Sequence, residues 1–122
     1  MEARSLSSSF TLRWLVQAIL GAILVILLGV HLIVNHWVAP QGLLTYADVV
    51  NYYDIPGIGW MEAAFLTIVT AHCLLGLHSI LIDLNIRPLI TFIITWLLVL
   101  VGVVTILYGL WLIRMIALQS TS

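Results

Sequence analysis

The chain has 122 residues, of which 63% are hydrophobic and only 7% are charged. A soluble globular domain carries about 25% charged residues, so this chain has too few charges to cover a water-facing surface. Its basic residues are four arginines, and the formal net charge is -1. This composition excludes an electrostatic nucleic-acid-binding surface. The apolar surface must therefore face lipid or partner subunits.

Three stretches are long and apolar enough to cross a bilayer, which takes about 20 residues for about 30 Å of hydrocarbon. They cover about 14–38, 60–84 and 88–113. Each is expected to be a helix, because a segment in lipid must satisfy its own backbone hydrogen bonds. The first run is too long for the core of a signal peptide, so we expect it to be retained. The sequence thus predicts an all-α integral membrane protein, with one transmembrane domain over 1–122 inside a multi-subunit helix bundle.

The charges that flank these spans predict their orientation. Arg4 and Arg13 precede the first span and Arg87 lies in the short second loop, whereas the first loop carries no basic residue. The positive-inside rule then places the N-terminus in the cytoplasm and the C-terminus outside. Arg114 opposes this assignment, although a long side chain at a helix end can reach the interface. Because no long arginine-rich transit peptide is visible, we expect a bacterial or archaeal cytoplasmic membrane.

The first loop has a helical pattern of its own. Its aromatic and β-branched residues recur at helical spacing, at Tyr46, Val49, Val50 and Tyr53. This spacing predicts a short amphipathic helix that lies on the outer membrane interface.

His72 is the most informative polar residue, because ionisable groups inside a span are costly and are therefore functional candidates. It lies about 18 Å inside the outer boundary of its span, at about 1.5 Å per residue. Helical periodicity places it on one face with Gly76, Ser79 and Asp83. A haem ligand needs a neutral imidazole and room for a flat macrocycle, which a glycine one turn away provides. A buried interhelical hydrogen bond is the alternative interpretation.

His31 lies about 9 Å inside the outer boundary of the first span. Its position fits either a haem ligand or a polar contact between helices. The depths of His31 and His72 differ by about 9 Å, so the two side chains are poor partners on one iron. If both are ligands, each serves a different haem, and the second ligand of each haem comes from another chain.

Other polar residues in the spans have two interpretations each. His78 lies about 120° around the helix from His72 and either packs or contacts a partner subunit, a propionate or a quinone. Asp83 either hydrogen-bonds a quinone or caps the turn into the second loop, and the quinone-site candidates are thus Asp83, Ser79 and His78. Arg114 either anchors the third helix at the interface or pairs with the propionates of an outer haem.

Three segments, taken in order, resemble the small membrane anchor subunits of succinate dehydrogenase. In AHCLLGLHSILIDLNIRP, His72, Gly76 and Asp83 have the spacing of the second helix of these anchors. LGVHLIVNHW resembles the first helix of the diheme members, and ILYGLWLI resembles the end of the third helix. The resemblance covers about 13–113 and fits the smaller, D-type anchor better than the C-type anchor.

The resemblance implies a non-catalytic subunit of succinate:quinone oxidoreductase. In this family a flavoprotein and an iron–sulfur protein oxidise succinate on the cytoplasmic side, and electrons pass to a quinone near the membrane surface. Two anchor subunits hold haem b and the quinone site. Carried over, His72 ligates the haem nearer the iron–sulfur protein and His31 ligates the outer haem. The family often has a tyrosine after the helix-two aspartate, and here it is Leu84. We therefore expect the partner anchor to supply most quinone contacts.

Other functions fit parts of the same pattern. An anchor of quinol:fumarate reductase or of another quinone-linked complex has the same requirements, and a haem-free scaffold would use the histidines only for hydrogen bonds. A small transporter subunit would need intramembrane acid–base pairs or broken helices, and the sequence indicates neither. The number of haems, one or two, stays open.

Overall fold

The computed structural model describes residues 2–38, 40–43 and 45–120, and within these ranges all regular secondary structure is helical. The helices, in chain order, are α1 (Glu2–Val38), α2 (Tyr46–Tyr53), α3 (Ile58–Asp83) and α4 (Pro88–Ser120). The predicted all-α class is confirmed.

Three of the helices are long and apolar enough to cross a membrane, as the sequence predicts. The candidate spans are Thr11–Trp37, Ile58–Asp83 and Pro88–Gln119. Both α1 and α4 extend beyond the spans expected at about 14–38 and 88–113. Hydropathy marks only the part of a helix that crosses hydrocarbon, whereas the backbone hydrogen bonds continue into the polar flanking residues.

The short helix α2 forms where the first loop was expected to be amphipathic, and a capping box starts it. The Thr45 hydroxyl accepts a hydrogen bond from the Asp48 backbone N–H at 3.2 Å, and the Asp48 carboxylate accepts one from the Thr45 N–H at 2.8 Å. This reciprocal pair satisfies two backbone donors that a helix start leaves without partners. Gly57, with φ of 93°, then turns the chain into α3 in a left-handed conformation that suits glycine.

Helix α3 packs against both α1 and α4, while α2 packs mainly against α4. Glycines on α4 allow a close approach: Leu74 of α3 fills the space over Gly102, and Leu66 fills the space over Gly109. Small residues commonly mark such contacts in membranes, where van der Waals packing drives helix association.

The bundle is more tightly packed at one end than at the other. We call the end that carries α2 the α2 end, and the end that carries the short turn from α3 into α4 the Arg87 end. Among the described side chains, only Tyr52 and Ile58 are buried, with 2% and 5% exposure, and both lie at the α2 end. Most other apolar side chains are exposed, so lipid or partner chains must cover them.

Candidate functional site

His72 lies half-buried where α3 meets α1. A Cβ atom on Gly21 of α1 would come within 3.1 Å of His72 Cε1, so the imidazole edge rests on the α1 backbone. The side-chain amide nitrogen of Gln17 donates to the His72 carbonyl at 3.1 Å and lies 3.5 Å from His72 Nε2, at the long limit of a hydrogen bond. Gln17 thus holds both the backbone and the ring of His72.

Two polar atoms at this contact have no hydrogen-bond partner among the described residues. They are His72 Nδ1 and Gln17 Oε1, and both are buried. A buried polar atom without a partner costs about 1–3 kcal/mol, so such a pair indicates a site that another group completes. An imidazole is a common axial haem ligand. The unpartnered Nδ1 is buried and Nε2 lies 3.5 Å from the Gln17 amide nitrogen, so His72 would bind a haem iron only after the Gln17 side chain moves.

The space expected at Gly76 is partly filled from within the chain. A Cβ atom on Gly76 would meet the Gln17 amide nitrogen at 3.1 Å. A flat ring lying against Gly76 would therefore displace the Gln17 side chain. Gln17 is a polar residue of the first span. The rotation of α1 against α3 that brings it to His72 cannot be read from the hydrophobic pattern of the sequence.

A cleft opens beside this contact, between α1 and α3 at the Arg87 end. Its volume is about 370 Å³, and its lining comprises Arg13, Trp14, Gln17, Gly76, Ser79, Ile82 and Asp83. Small-molecule sites have volumes of about 300–1,000 Å³ with a few polar groups on apolar walls, which this cleft matches. Three residues predicted to share a face of α3 thus line one cleft, and α1 adds a guanidinium and an amide.

His78 is separated from this cleft. It lines a different cleft of about 450 Å³ between α3 and α4, together with Thr91 and Thr95. The structure therefore divides the predicted quinone-site candidates: Ser79 and Asp83 lie together, and His78 lies around the helix, as the 3.6-residue periodicity indicates.

His31 belongs to a polar group at the α2 end, which we call the Tyr52 cluster: His31, Asn35, Tyr52 and Glu62. His31 Nδ1 lies 2.9 Å from Glu62 Oε1, and the Tyr52 hydroxyl donates to the same oxygen at 2.7 Å. The Asn35 amide donates to the His31 carbonyl at 2.8 Å and to the Tyr52 hydroxyl at 3.4 Å. The cluster connects α1, α2 and α3.

The electrostatics of the cluster follow from its burial. Burial, and then the hydrogen bond to Glu62, raise the pKa of Tyr52 above its ordinary value, so the phenol stays protonated and donates. Burial and the charge of Glu62 likewise raise the pKa of Tyr53. The sequence did not identify Glu62 as a partner of His31. Its position inside the second span was the available signal, since acidic residues are rare there.

The His31 ring is fixed on a face as well as on an edge. It stacks on Phe65 with ring centroids 5.2 Å apart and planes at 16°. With Nδ1 directed at a carboxylate, Nε2 is the nitrogen left for another partner. Histidines that bind metals usually donate their other ring N–H to a carboxylate or a carbonyl, so His31 also fits an axial ligand.

The two histidines lie at different depths. His31 meets α3 at Phe65, seven residues before His72. His72 meets α1 at Gly21, ten residues before His31. At about 1.5 Å per residue, these offsets correspond to about 10–15 Å along the bundle. The contacts thus place the two rings at different depths, as the sequence predicts.

Arg114 lies at the α2 end but outside the Tyr52 cluster. Its exposed side chain lines a cleft of about 370 Å³ between α3 and α4, beside Trp60 and Ile113. The rings of Tyr108 and Trp111 on the same helix are 5.8 Å apart. The cleft opens to the bundle surface, so the Arg114 guanidinium is accessible both to the interface and to an anionic group.

Comparison with known proteins shows one informative similarity. The chain is 35% identical over 74 residues to a protein of Archaeoglobus fulgidus named succinate dehydrogenase hydrophobic membrane anchor subunit. The match covers 61% of this chain and 62% of the relative, which is less than two thirds of its length. The resemblance to succinate dehydrogenase membrane anchors is confirmed by this similarity. No protein-family model and no solved structure matches the chain.

Proposed function

We propose that this chain is a membrane anchor subunit of a succinate:quinone oxidoreductase, and that it helps to hold haem b and a quinone. The observation that carries the proposal is the similarity to the hydrophobic membrane anchor subunit of Archaeoglobus fulgidus. Three helices long enough to span a membrane support the same role. The D-type class, the two-haem form and a bacterial or archaeal cytoplasmic membrane are parts of this proposal.

The partners follow from the open surface of the bundle. The described apolar side chains are mostly exposed along all three long helices, so both lipid and partner helices can pack on them. A second anchor subunit would cover part of it, and the iron–sulfur subunit with its flavoprotein subunit would bind at the cytoplasmic side. We place that side at the Arg87 end, where Arg13 and Arg87 lie.

His72 and His31 are the residues that would hold haem b. When bound, haem b supplies reversible one-electron transfer, while the protein supplies ligands, burial and orientation. The carboxylate-paired Nδ1 at His31 supports its assignment, because it leaves Nε2 for a metal. The spacing of His72 with Gly76 and Asp83 supports the other. The depth difference supports two separate sites, each of which would take its second ligand from another chain.

The cleft at the Arg87 end would take the quinone. A quinone offers two carbonyl oxygens on an apolar ring, so it needs donors set into apolar walls. Arg13 can donate, and Asp83 can accept the hydrogen of a reduced quinol. The Ser79 hydroxyl donates to the Leu75 carbonyl at 3.0 Å, so while that bond holds it can only accept. His78 would contribute only through the separate cleft between α3 and α4.

Optical spectra of the purified complex test the haem assignment. We expect His72→Leu and His31→Leu each to remove a different b-type haem, because the two rings lie at different depths. His36→Leu is the matched control, since this exposed histidine lies outside both contacts. Loss of the same haem from both variants, or of none, would contradict the assignment.

A haem-free scaffold is the second candidate, and a specific observation favours it. Both histidines have neighbours within the chain: Gln17 for His72 and Glu62 for His31. These contacts give one ring nitrogen of each histidine a polar neighbour without any cofactor. An assembled, quinone-reducing complex without a b-type absorption band would establish the scaffold and refute the haem proposal.

A further inference from the structure

We propose that Glu62 is a positioning residue that holds the His31 ring with its proton on Nδ1, which would leave Nε2 to bind a haem iron. The inference rests on the proposed function, because it requires His31 to be a ligand. It adds a residue and a role that the family resemblance did not supply.

The hydrogen-bond geometry fixes which nitrogen carries the proton. His31 Nδ1 is 2.9 Å from Glu62 Oε1, and the Tyr52 hydroxyl donates to the same oxygen. An oxygen that accepts from Tyr52 acts as an acceptor toward His31 as well, and an ionised carboxylate can only accept. Nδ1 must therefore donate, and in a neutral imidazole the lone pair is then on Nε2.

The carboxylate is itself held in place, which gives the hydrogen bond its direction. Tyr52 is the most buried of the described side chains and ties Glu62 to α2. Phe65, one turn along α3, covers a face of the His31 ring. With side-chain exposures of 29% for His31 and 15% for Glu62, the contact is partly shielded from solvent. The ring is thus fixed by an edge contact and a face contact from the same helix.

A carboxylate on Nδ1–H makes an imidazole a stronger donor to a metal. Such partners in metal sites typically contribute about 10–100-fold to affinity. Stronger donation favours the ferric state, so the carboxylate lowers the midpoint potential of the haem, in line with the influence of hydrogen bonds around a ligand on potential. Glu62 would thereby set both the orientation and the potential of one haem only.

A redox titration of the intact, purified complex tests this role. In Glu62→Gln the amide oxygen still accepts from Nδ1–H but carries no charge, so we expect the haem that depends on His31 to shift to a higher potential. The haem that depends on His72 should keep its potential. Asp54→Asn is the matched control, because it removes an exposed carboxylate of the same loop region that lies outside the cluster, and no shift is expected.

A second variant measures the affinity. In Glu62→Leu the acceptor is lost, so we expect haem binding at the His31 site to weaken by about 10–100-fold, measured as occupancy at limiting haem. If the Glu62 variants do not assemble, Tyr52→Phe replaces them, with Tyr53→Phe as its control. Removal of the Tyr52 hydroxyl makes the carboxylate a stronger acceptor, so the potential should shift to a lower value.

The outcomes separate the inference from the function on which it rests. Unchanged potential and affinity in the Glu62 variants, or in Tyr52→Phe where those fail to assemble, would overturn the positioning role while leaving His31 a ligand. A His31→Leu complex that keeps every haem would instead refute the ligand assignment. A shift confined to the His31-dependent haem supports both.

Discussion

The imidazole of His72 and the backbone of Gly21 are in direct contact, edge against helix, where α3 meets α1. A Cβ atom at Gly21 would lie 3.1 Å from His72 Cε1, closer than ordinary side-chain packing allows. Glycine at this position thus sets where the ring lies.

Gly21→Val should displace the His72 ring and lower stability. Overpacking of a close contact costs about 1–3 kcal/mol. Gly29→Val is the matched control, because a Cβ there meets no described atom within 4 Å, while the change in helix propensity is the same. Thermal unfolding of the purified protein in detergent measures the difference. Equal losses in both variants would show that the contact at Gly21 does not matter.

Ser79→Leu should fill the cleft at the Arg87 end and impair quinone binding. We expect a higher KM for quinone with succinate oxidation by a soluble dye unchanged, because in the proposed complex another subunit oxidises succinate. Thr67→Leu is the matched control: both hydroxyls are exposed on α3 and bond the carbonyl four residues back. An unchanged KM in Ser79→Leu would place the quinone elsewhere.

Gly102→Val should loosen the contact of α3 with α4, since Leu74 occupies the space over Gly102. The expected cost is about 1–3 kcal/mol. Leu74→Ala makes room for the valine, so the double variant should be more stable than the sum of the two single changes predicts. Strict additivity in thermal unfolding would contradict the contact.

Tyr52 should make stability depend on pH in the alkaline range. Burial and the hydrogen bond to Glu62 raise the pKa of Tyr52 in the folded state above its ordinary value of 10.0. The stabilisation is therefore complete below about pH 10 and is lost as pH rises above it, because the unfolded chain releases the proton first. Tyr52→Phe should lower stability at pH 7 and flatten this decline, measured by unfolding between pH 7 and 12.

Tyr46→Phe is the matched control for the alkaline decline, since this tyrosine is exposed at the start of the same helix. It should leave the pH dependence as in the parent chain. A decline of the same slope in Tyr52→Phe would mean that other groups cause it, and Tyr53, whose pKa is raised in the same direction, would then be the next residue to test.

Most of the fold was predictable, because each element has a local cause. The three spans follow from length and hydropathy, and α2 follows from the spacing of Tyr46 and Tyr53 around a polar face. The grouping of Gly76, Ser79 and Asp83 on one cleft was also predictable, since residues on a single helix are related by a fixed rotation.

Contacts between helices were not predictable from the same pattern. Gln17 and Arg13 of α1 join the residues of α3, and Glu62 reaches His31. The rotation of one helix against another that makes these contacts has no signal in the sequence. In a soluble protein an apolar stripe would show which face packs inward. Here the lipid-facing and protein-facing sides are equally apolar, so only the rare polar residues carry that information.

Because Tyr52 and Ile58 are buried at the α2 end, the helices are held together more firmly there than at the Arg87 end. Hydrogen bonds and close packing stabilise the α2 end, whereas the described side chains at the Arg87 end are at least partly exposed. Any local separation of α1 from α3 should therefore begin at the Arg87 end, beyond the contact of Gln17 with His72, while the Tyr52 cluster holds the α2 end together.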